Sequence, residues 1–365
     1  MLKIIKNNKG VVLLMTLSFI AILLPAAFEL NRKTRNSMMT TASARDRVTL
    51  SHIASSGVHA AMAMLIKDRK SGPPSGLDSV QEDWADPEKI AETLESIRFE
   101  AGSVNFKITD ERSRIQVNAM VQFPKGREFN PAQQGMWDRM ARALKAQSEQ
   151  LEEVEPTTIV NSIKDWLDSG DDDAVTGLSG AESDYYEDLD PPVKCKNGPI
   201  THIDEMLSIK GMKRELFYGL EGILPGLSDF LTVHCMTKSP KKVKKREFTF
   251  DGKININTAD LPVLMAVVSS EDPEYAQAIY DYREEKEDGK FVNTNLSSLN
   301  WYKEAPGCGD LAIANELITT SSDFFRIEST ASLNNMKLTA IVVVFREKNK
   351  KTGKWRCKVL SWDTE

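Results

Sequence analysis

With 365 residues and 41% hydrophobic side chains, the chain can bury more than one core, which argues against a disordered protein. Its formal charge of −6, with acids and bases both abundant, excludes a general nucleic-acid-binding surface of one-signed charge. Four cysteines, Cys195, Cys235, Cys308 and Cys357, lie far apart without a C-x-x-C pair, which removes zinc-ribbon and thioredoxin spacings. In an oxidising compartment they could form one or two disulfides in any of three connectivities; the alternative is four buried free thiols.

The N-terminus carries the strongest signal. Met1–Gly10 holds three lysines and no acid, and Val11–Phe28 then runs apolar without a charge. Eighteen helical residues reach ~27 Å, close to the ~30 Å hydrocarbon layer, so this segment is long enough to cross a bilayer. Arg32, Lys33 and Arg35 follow it, so the lysines alone do not fix its orientation. Ala21, Ala26 and Ala27 form no A-x-A signal-peptidase site.

Lys9-Gly10-Val11, a basic leader ending in glycine before an apolar helix, resembles the type IV prepilin motif. That resemblance implies cleavage after Gly10, a mature and N-methylated terminus at Val11, and retention of the apolar helix. It also implies a glutamate at the fifth mature residue, where this chain has Met15. A carboxylate in the bilayer core costs several kcal/mol unless paired, and in pilins it is paired with the amine of the preceding subunit. A subunit without a predecessor has no such partner, so Met15 marks a tip position. The plain alternative is a simple signal-anchor.

Beyond the membrane segment, residues 29–69 contain no proline and one glycine, Gly57. Apolar residues at Val48, Leu50, Ile53, Ala54, Val58, Ala61, Met64 and Leu65 keep helical spacing, so the helix is expected to continue until Ser71-Gly-Pro-Pro-Ser-Gly76 ends it. His52 and His59 share one face but lack the i, i+4 spacing of a helical metal pair, and read as surface or packing residues. Strand patterning follows at Ser96–Thr109 and Arg114–Asn118, and again at Phe324–Leu333, Leu338–Arg346 and Trp355–Trp362. Between these groups, residues 127–321 are largely helical, interrupted by strand-like Phe230–Cys235 and Phe248–Asn257.

The expected fold class is α+β: a long N-terminal transmembrane and spine helix, an antiparallel sheet head, and a large inserted helical domain. The boundaries are 1–10 leader, 11–28 membrane helix, 29–70 spine, 71–126 first part of the head, 127–321 insertion and 322–365 C-terminal strands. An internal repeat supports that division: Arg114-Ile-Gln-Val-Asn118-Ala119 is echoed by Lys253-Ile-Asn-Ile-Asn257-Thr-Ala259. Ile163-x-x-Trp166 matches Ile279-x-x-Tyr282, and Pro199-Ile200…Met206-Leu207 matches Lys290-Phe291…Ser298-Leu299, so two related units are predicted.

These units resemble helix-hairpin-helix modules, which supplies a rival function, a membrane-anchored DNA-binding protein. The hairpins read Lys210-Gly211-Met212-Lys213 and Ser269–Pro273, and neither has the full Gly-apolar-Gly turn of a phosphate cradle. The basic run Lys238–Arg246 between two strands reads as a solvated loop. No G-x-S-x-G, H-E-x-x-H or P-loop is present, which leaves a non-enzyme as the reading.

Asp165-Trp-Leu-Asp168-Ser-Gly-Asp-Asp-Asp173, Gly180-Ala-Glu-Ser-Asp-Tyr-Tyr186, Leu189-Asp-Pro-Pro192 and Pro199-Ile200 follow one another in the chain. With Phe230-Leu-Thr-Val233 and Ile254–Ala259, they are similar in content and order to the general secretion pathway protein K family, the K pseudopilins of type II secretion. The resemblance implies a pilin-like head and a role at the tip of the secretion pseudopilus. Implied partners are minor pseudopilins I and J, major pseudopilin G, minor pseudopilin H, the inner-membrane assembly platform, the outer-membrane secretin and secreted substrates. The implied location is the inner membrane, with the C-terminal domain in the periplasm.

Asp168, Asp171, Asp172, Asp173, Glu182 and Asp184 crowd carboxylates into seventeen residues that hold no lysine or arginine, a loop that repels itself. Ca²⁺, which takes ~6–8 oxygens, would relieve that repulsion. Asp171, Asp173 and Glu182 match EF-hand positions 1, 3 and 12, but Val175 and Thr176 break the pattern. The family resemblance implies structural calcium in this domain; the expected ligands are Asp168, Asp171, Asp173, Glu182 and Asp184, and the alternative is a solvated acidic loop. A glycoside-hydrolase carboxylate pair would need a firmer scaffold than this Gly/Ser-punctuated segment.

Overall fold

The structure, a computed structural model, describes residues 10–71, 76–123, 126–146, 151–170, 175–220, 222, 224–238, 248–268 and 273–365. The uninterrupted helical stretch becomes a single helix, α1 (Val11–Ser71), of 61 residues with Pro25 inside it, roughly 90 Å long at ~1.5 Å per residue. It ends at Ser71, directly before the Gly-Pro-Pro sequence. Its first buried residue is Asp46; from there Leu50, Ile53, Ala54, Gly57, Val58, Ala61 and Leu65 bury one helical face. His52 and His59 are exposed on the other.

In chain order the remaining helices are α2 (Pro87–Glu95), α3 (Pro131–Lys145), α4 (Pro156–Leu167), α5 (Ser183–Glu187), α6 (Arg214–Tyr218), α7 (Leu261–Val267) and α8 (Glu274–Glu284). The strands begin with β1 (Ser103–Asp110), β2 (Ile115–Gln116), β3 (Gly219–Leu220), β4 (Leu224–Pro225), β5 (Leu231–Thr232), β6 (Met236–Lys238) and β7 (Phe248–Phe250). They continue with β8 (Ile254–Asn255), β9 (Lys286–Glu287), β10 (Lys290–Phe291), β11 (Ile318–Thr319), β12 (Phe324–Leu333), β13 (Met336–Lys348) and β14 (Trp355–Thr364).

β1, β12, β13 and β14 form a four-stranded antiparallel sheet in that order. The chain leaves the sheet after Asp110 and returns at Phe324, so two hydrogen-bonded neighbours bracket the whole insertion. One sheet face packs on α1, where Phe106, Ile108, Phe325, Ile327, Ala331, Val342 and Val344 share a core with the buried face of the helix. Gly57 sets the approach: a Cβ there would meet Ser329 Oγ at 2.3 Å and Val104 Cγ2 at 2.7 Å, and the Ser329 hydroxyl donates to the Ala54 carbonyl at 2.9 Å.

Two expectations shift. The first strand begins at Ser103 rather than Ser96, because Asp86 accepts from Glu88 N–H and Pro87 opens α2, which runs on to Glu95. Ile115–Gln116 pairs in parallel with Leu231–Thr232 instead of joining the head sheet. Ile115, Val117, Met120 and Val121 sit in the core of the insertion, which therefore starts well before residue 127.

The internal repeat is visible in three dimensions. Ile254–Asn255 pairs in parallel with Ile318–Thr319, as Ile115–Gln116 does with Leu231–Thr232. The Gln116 side chain accepts from Asn118 N–H at 3.0 Å, and the Asn255 side chain from Asn257 N–H at 3.1 Å. Asn118 then bonds both the N–H and the carbonyl of Ile200, while Asn257 donates to the Leu296 carbonyl and accepts from the Trp301 indole. Buried Ile163 and Ile279 occupy the matching helices α4 and α8. The two units meet through α3 and α7, where Arg139 donates to the Ala266 carbonyl at 2.8 Å.

Buried charge joins helix, sheet and insertion. Arg346 of β13 is wholly buried. It donates to the Leu65 carbonyl at 3.2 Å and Asp68 at 3.0 Å on α1, to Asp78, and to the Ser322 carbonyl at 2.8 Å. Its guanidinium also stacks 4.7 Å from the Phe325 ring centroid. Asp78 takes Ser322 N–H at 2.8 Å, and its own carbonyl accepts from Asn255 and Asn257 of the insertion. Nearby, buried Glu111 is bound by Arg326 of β12 at 2.6 Å and by Thr232.

Removing one partner of such a cluster strands a buried charge. Arg346→Met is expected to cost about 3–5 kcal/mol of unfolding free energy, read by urea denaturation in detergent, and Asp78→Asn on that background should recover part of the loss. The carboxylates of Asp68, Asp78 and Glu82 lie within 4.8 Å of one another. Desolvation, followed by the Asp68 charge, raises Glu82 from the ordinary 4.5 to about 7. The folded state therefore holds this proton across a window in which the unfolded chain has released it, so this contribution to stability falls as pH rises from 4.5 to about 7. Glu82→Gln, which keeps an acceptor for Trp84 Nε1–H and Ser79 N–H, should flatten the stability–pH curve there; an unchanged slope counts against this assignment.

Candidate functional site

At the N-terminus, Val11 opens α1 and the apolar segment is exposed along its length, with Met15 59% exposed. Residues 1–9 of the leader lie outside the described residues. Gly10 is exposed, and a Cβ built on it would meet nothing within 4 Å, so packing does not require glycine there. Among the described residues α1 is the one helix long and apolar enough to cross a membrane.

The acidic segment is built on the C-terminal end of α4. Asp165, wholly buried one turn before the end, accepts Thr176 N–H at 3.2 Å and Ala181 N–H at 2.9 Å through Oδ2. Its Oδ1 has no hydrogen-bond partner among the described residues. Asp168 follows Leu167 and accepts Gly170 N–H at 3.2 Å through Oδ1. Glu182 closes the loop, and carboxylate oxygens of Asp165, Asp168 and Glu182 all lie within 4.8 Å of one another.

Gly180 makes this closure possible, since a Cβ there would sit 2.0 Å from Asp165 Oδ2. The loop is tied down by the Lys210 ammonium, 3.0 Å from the Gly180 carbonyl, and by the T-shaped contact of Trp166 and Tyr186, with centroids 4.9 Å apart. A buried cage of hard oxygens, in which Asp165 Oδ1 has no hydrogen-bond donor among the described residues, is a donor set that suits Ca²⁺. The residues that would hold it are Asp165, Asp168 and Glu182; the ion would neutralise their mutual repulsion and pin the end of α4 to the start of α5.

Of the expected ligands, Asp168 and Glu182 come together, Asp184 is exposed on α5 and outside the cluster, and Asp171 and Asp173 lie outside the described residues. Asp165 was missed because it reads as a helix-interior residue, although its i, i+3 relation to Asp168 could have found it. The acids are also not free of basic neighbours. Lys164, i−4 from Asp168 on α4, brings its ammonium to 2.5 Å from Asp168 Oδ2 and 3.7 Å from Asp165 Oδ1.

Cys195, Cys235 and Cys308 are buried, and Cys357 is half-buried. Each has its own surroundings: Cys195 and Cys308 in the insertion core, Cys235 beside Glu111 and Arg112, and Cys357 on β14 against the Met62 carbonyl. Cys235, Cys308 and Cys357 carry free thiols, so the disulfides expected among the four are not formed in this structure. Burial pushes the Cys357 thiol up to about 11.

The hairpin lysines offered as a phosphate cradle are used internally: Lys210 on Gly180 and Lys213 on Glu153 at 2.8 Å, while Lys210 N–H points to the Tyr186 hydroxyl. Residues 239–247 of the basic run and 269–272 of the other hairpin lie outside the described residues.

A family model described as type II secretion system protein K matches residues 113–224, the span that holds α3, α4 and the acidic cage. Over that span the chain is similar to the type II secretion system protein K family. It is similar to the type II secretion system protein K of Aeromonas hydrophila, 25% identical over 199 residues that cover 54% of this chain and 57% of that protein. The corresponding protein of Pectobacterium carotovorum subsp. carotovorum is 25% identical over 73% of this chain and 72% of its own length. That of Klebsiella pneumoniae is 24% identical over 68% and 72%. The chain thus spans about half to three quarters of these relatives. The crystal structure of the GspK-GspI-GspJ complex from the enterotoxigenic Escherichia coli type 2 secretion system matches with a TM-score of 0.61 at 16% identity, over 89% of this chain and 99% of that one. This shows a shared fold, a long N-terminal helix with an α+β head.

Proposed function

We propose that the protein is the minor pseudopilin at the tip of the type II secretion pseudopilus, where it starts assembly and supports export of folded proteins through the outer-membrane secretin. The observation that carries this reading is α1: an exposed apolar span beginning at Val11, immediately after a glycine that the fold does not need, and carrying Met15 instead of a carboxylate. A subunit with no charge to neutralise in the bilayer has no need of a preceding subunit. The matched structure is a complex with GspI and GspJ, and minor pseudopilins I and J are the partners proposed for this chain, followed by G, H and the assembly platform. The protein is read as a non-enzyme anchored once in the inner membrane with its head in the periplasm. The internal use of Lys210 and Lys213 weakens the DNA-binding alternative.

Expressed with a prepilin peptidase, the protein is expected to show a mature N-terminus at Val11 by intact-mass and terminal sequencing, and Gly10→Val should retain Met1. An uncut wild type, or failure to co-purify with I and J, would remove the tip reading.

Structural Ca²⁺ is part of the proposal, held by Asp165, Asp168 and Glu182. At a hundredfold excess over its Kd, the ion should stabilise the fold by about 2.7 kcal/mol. Thermal unfolding with calcium and with chelator checks this, and Asp165→Asn should abolish the difference.

A further inference from the structure

We infer that Lys164 is a built-in counter-ion that competes with calcium for the acidic cage, so that loading the ion expels its ammonium from the carboxylates. This rests on the calcium reading above but assigns a role to a residue that supplies no ligand atom. Asp165, Asp168 and Glu182 are only 0%, 1% and 7% exposed, and three carboxylates with oxygens within 4.8 Å repel strongly in such surroundings. The ammonium is the positive charge placed against them, 2.5 Å from Asp168 Oδ2 and 3.7 Å from Asp165 Oδ1, on a side chain 12% exposed.

An ammonium has donors and no lone pair, so it cannot enter a calcium coordination shell. Calcium binds oxygens at ~2.3–2.6 Å, so an ion on Asp168 Oδ2 would lie no more than ~5 Å from the ammonium. Two cations at that distance repel, and Asp165 Oδ1, which has no hydrogen-bond partner among the described residues, lies 3.7 Å from the ammonium. Lys164 sits at the end of α4 with part of its length open to solvent, so its stem can swing outward while its aliphatic carbons stay on the helix surface. The exchange is one positive charge out and two in. It raises the calcium concentration needed to fill the cage, and it lets α4 and the loop stay folded at low calcium.

The test is calorimetric titration of the detergent-solubilised full chain with CaCl₂, comparing wild type with Lys164→Met, which keeps the packing stem, and Lys164→Gln. Both variants are expected to bind calcium about tenfold or more tightly than wild type, one unit of about 1.4 kcal/mol, and to unfold at lower temperature than wild type in chelator. A variant that folds only with calcium present supports the same exchange. Equal or weaker binding by the variants, with wild type still binding, overturns the counter-ion role and leaves the calcium site standing. No binding by wild type or variants overturns both. A readout on the wild type alone does not depend on the variants folding: calcium should increase acylation of Lys164 by an amine-reactive reagent, scored by mass spectrometry against Lys210. Unchanged Lys164 labelling on calcium saturation overturns the inference.

Discussion

The guanidinium of Arg346 draws three parts of the chain together at one buried point. It reaches the last turns of α1 through Leu65 and Asp68, the connector that follows through Asp78, and the return into the sheet through Ser322. Asp78 passes the connection on to Asn255 and Asn257, the signature of the second helical unit. The apolar core of the head and that of the insertion are distinct clusters, so the relation between them is set by directional, desolvated polar contacts. Such contacts tolerate little sliding, because any shift leaves a buried charge unpaired.

The same economy of charge recurs at the other end of the insertion. The acidic segment is held in a defined shape by backbone N–H groups on Asp165 and Asp168, by a glycine at the one position where a Cβ would strike a carboxylate, and by two lysines drawn from α4 and from the Gly211 hairpin. The described ends of the segment are therefore held by the protein's own groups.

Much of this was legible in the sequence. The spine helix was readable because nothing between Glu29 and Ser71 interrupts it, and the C-terminal strands because Phe325–Leu333 alternates strictly between buried and half-buried positions. The repeat was readable from Asn118 and Asn257, since a buried amide that must span two chains recurs with its hydrophobic frame. Other features were not. A two-residue strand such as Ile115–Gln116 has a period but no address, so its pairing with Leu231–Thr232 depends on chain far away. Arg346, Asp78 and Glu111 look like surface charges until the fold buries them, and Lys164 and Asp165 look like the polar face of a helix. The cysteine count suggested bridges, but each thiol was placed by its local packing.

None of the first 35 residues of α1, before Asp46, is buried among the described residues, and only part of that length is needed to cross a bilayer. Between Phe28 and Asp46 the helix runs on for about 27 Å at ~1.5 Å per residue. The head is therefore carried on a bare stalk, and a tilt of the helix in the membrane becomes a sideways sweep of the head many times larger than the displacement at Val11. Neighbouring helices that gather round this stalk would stop that sweep. In this geometry, helices packed round the stalk would act on the head as a brace acts on a mast: they would fix where the head points without touching it.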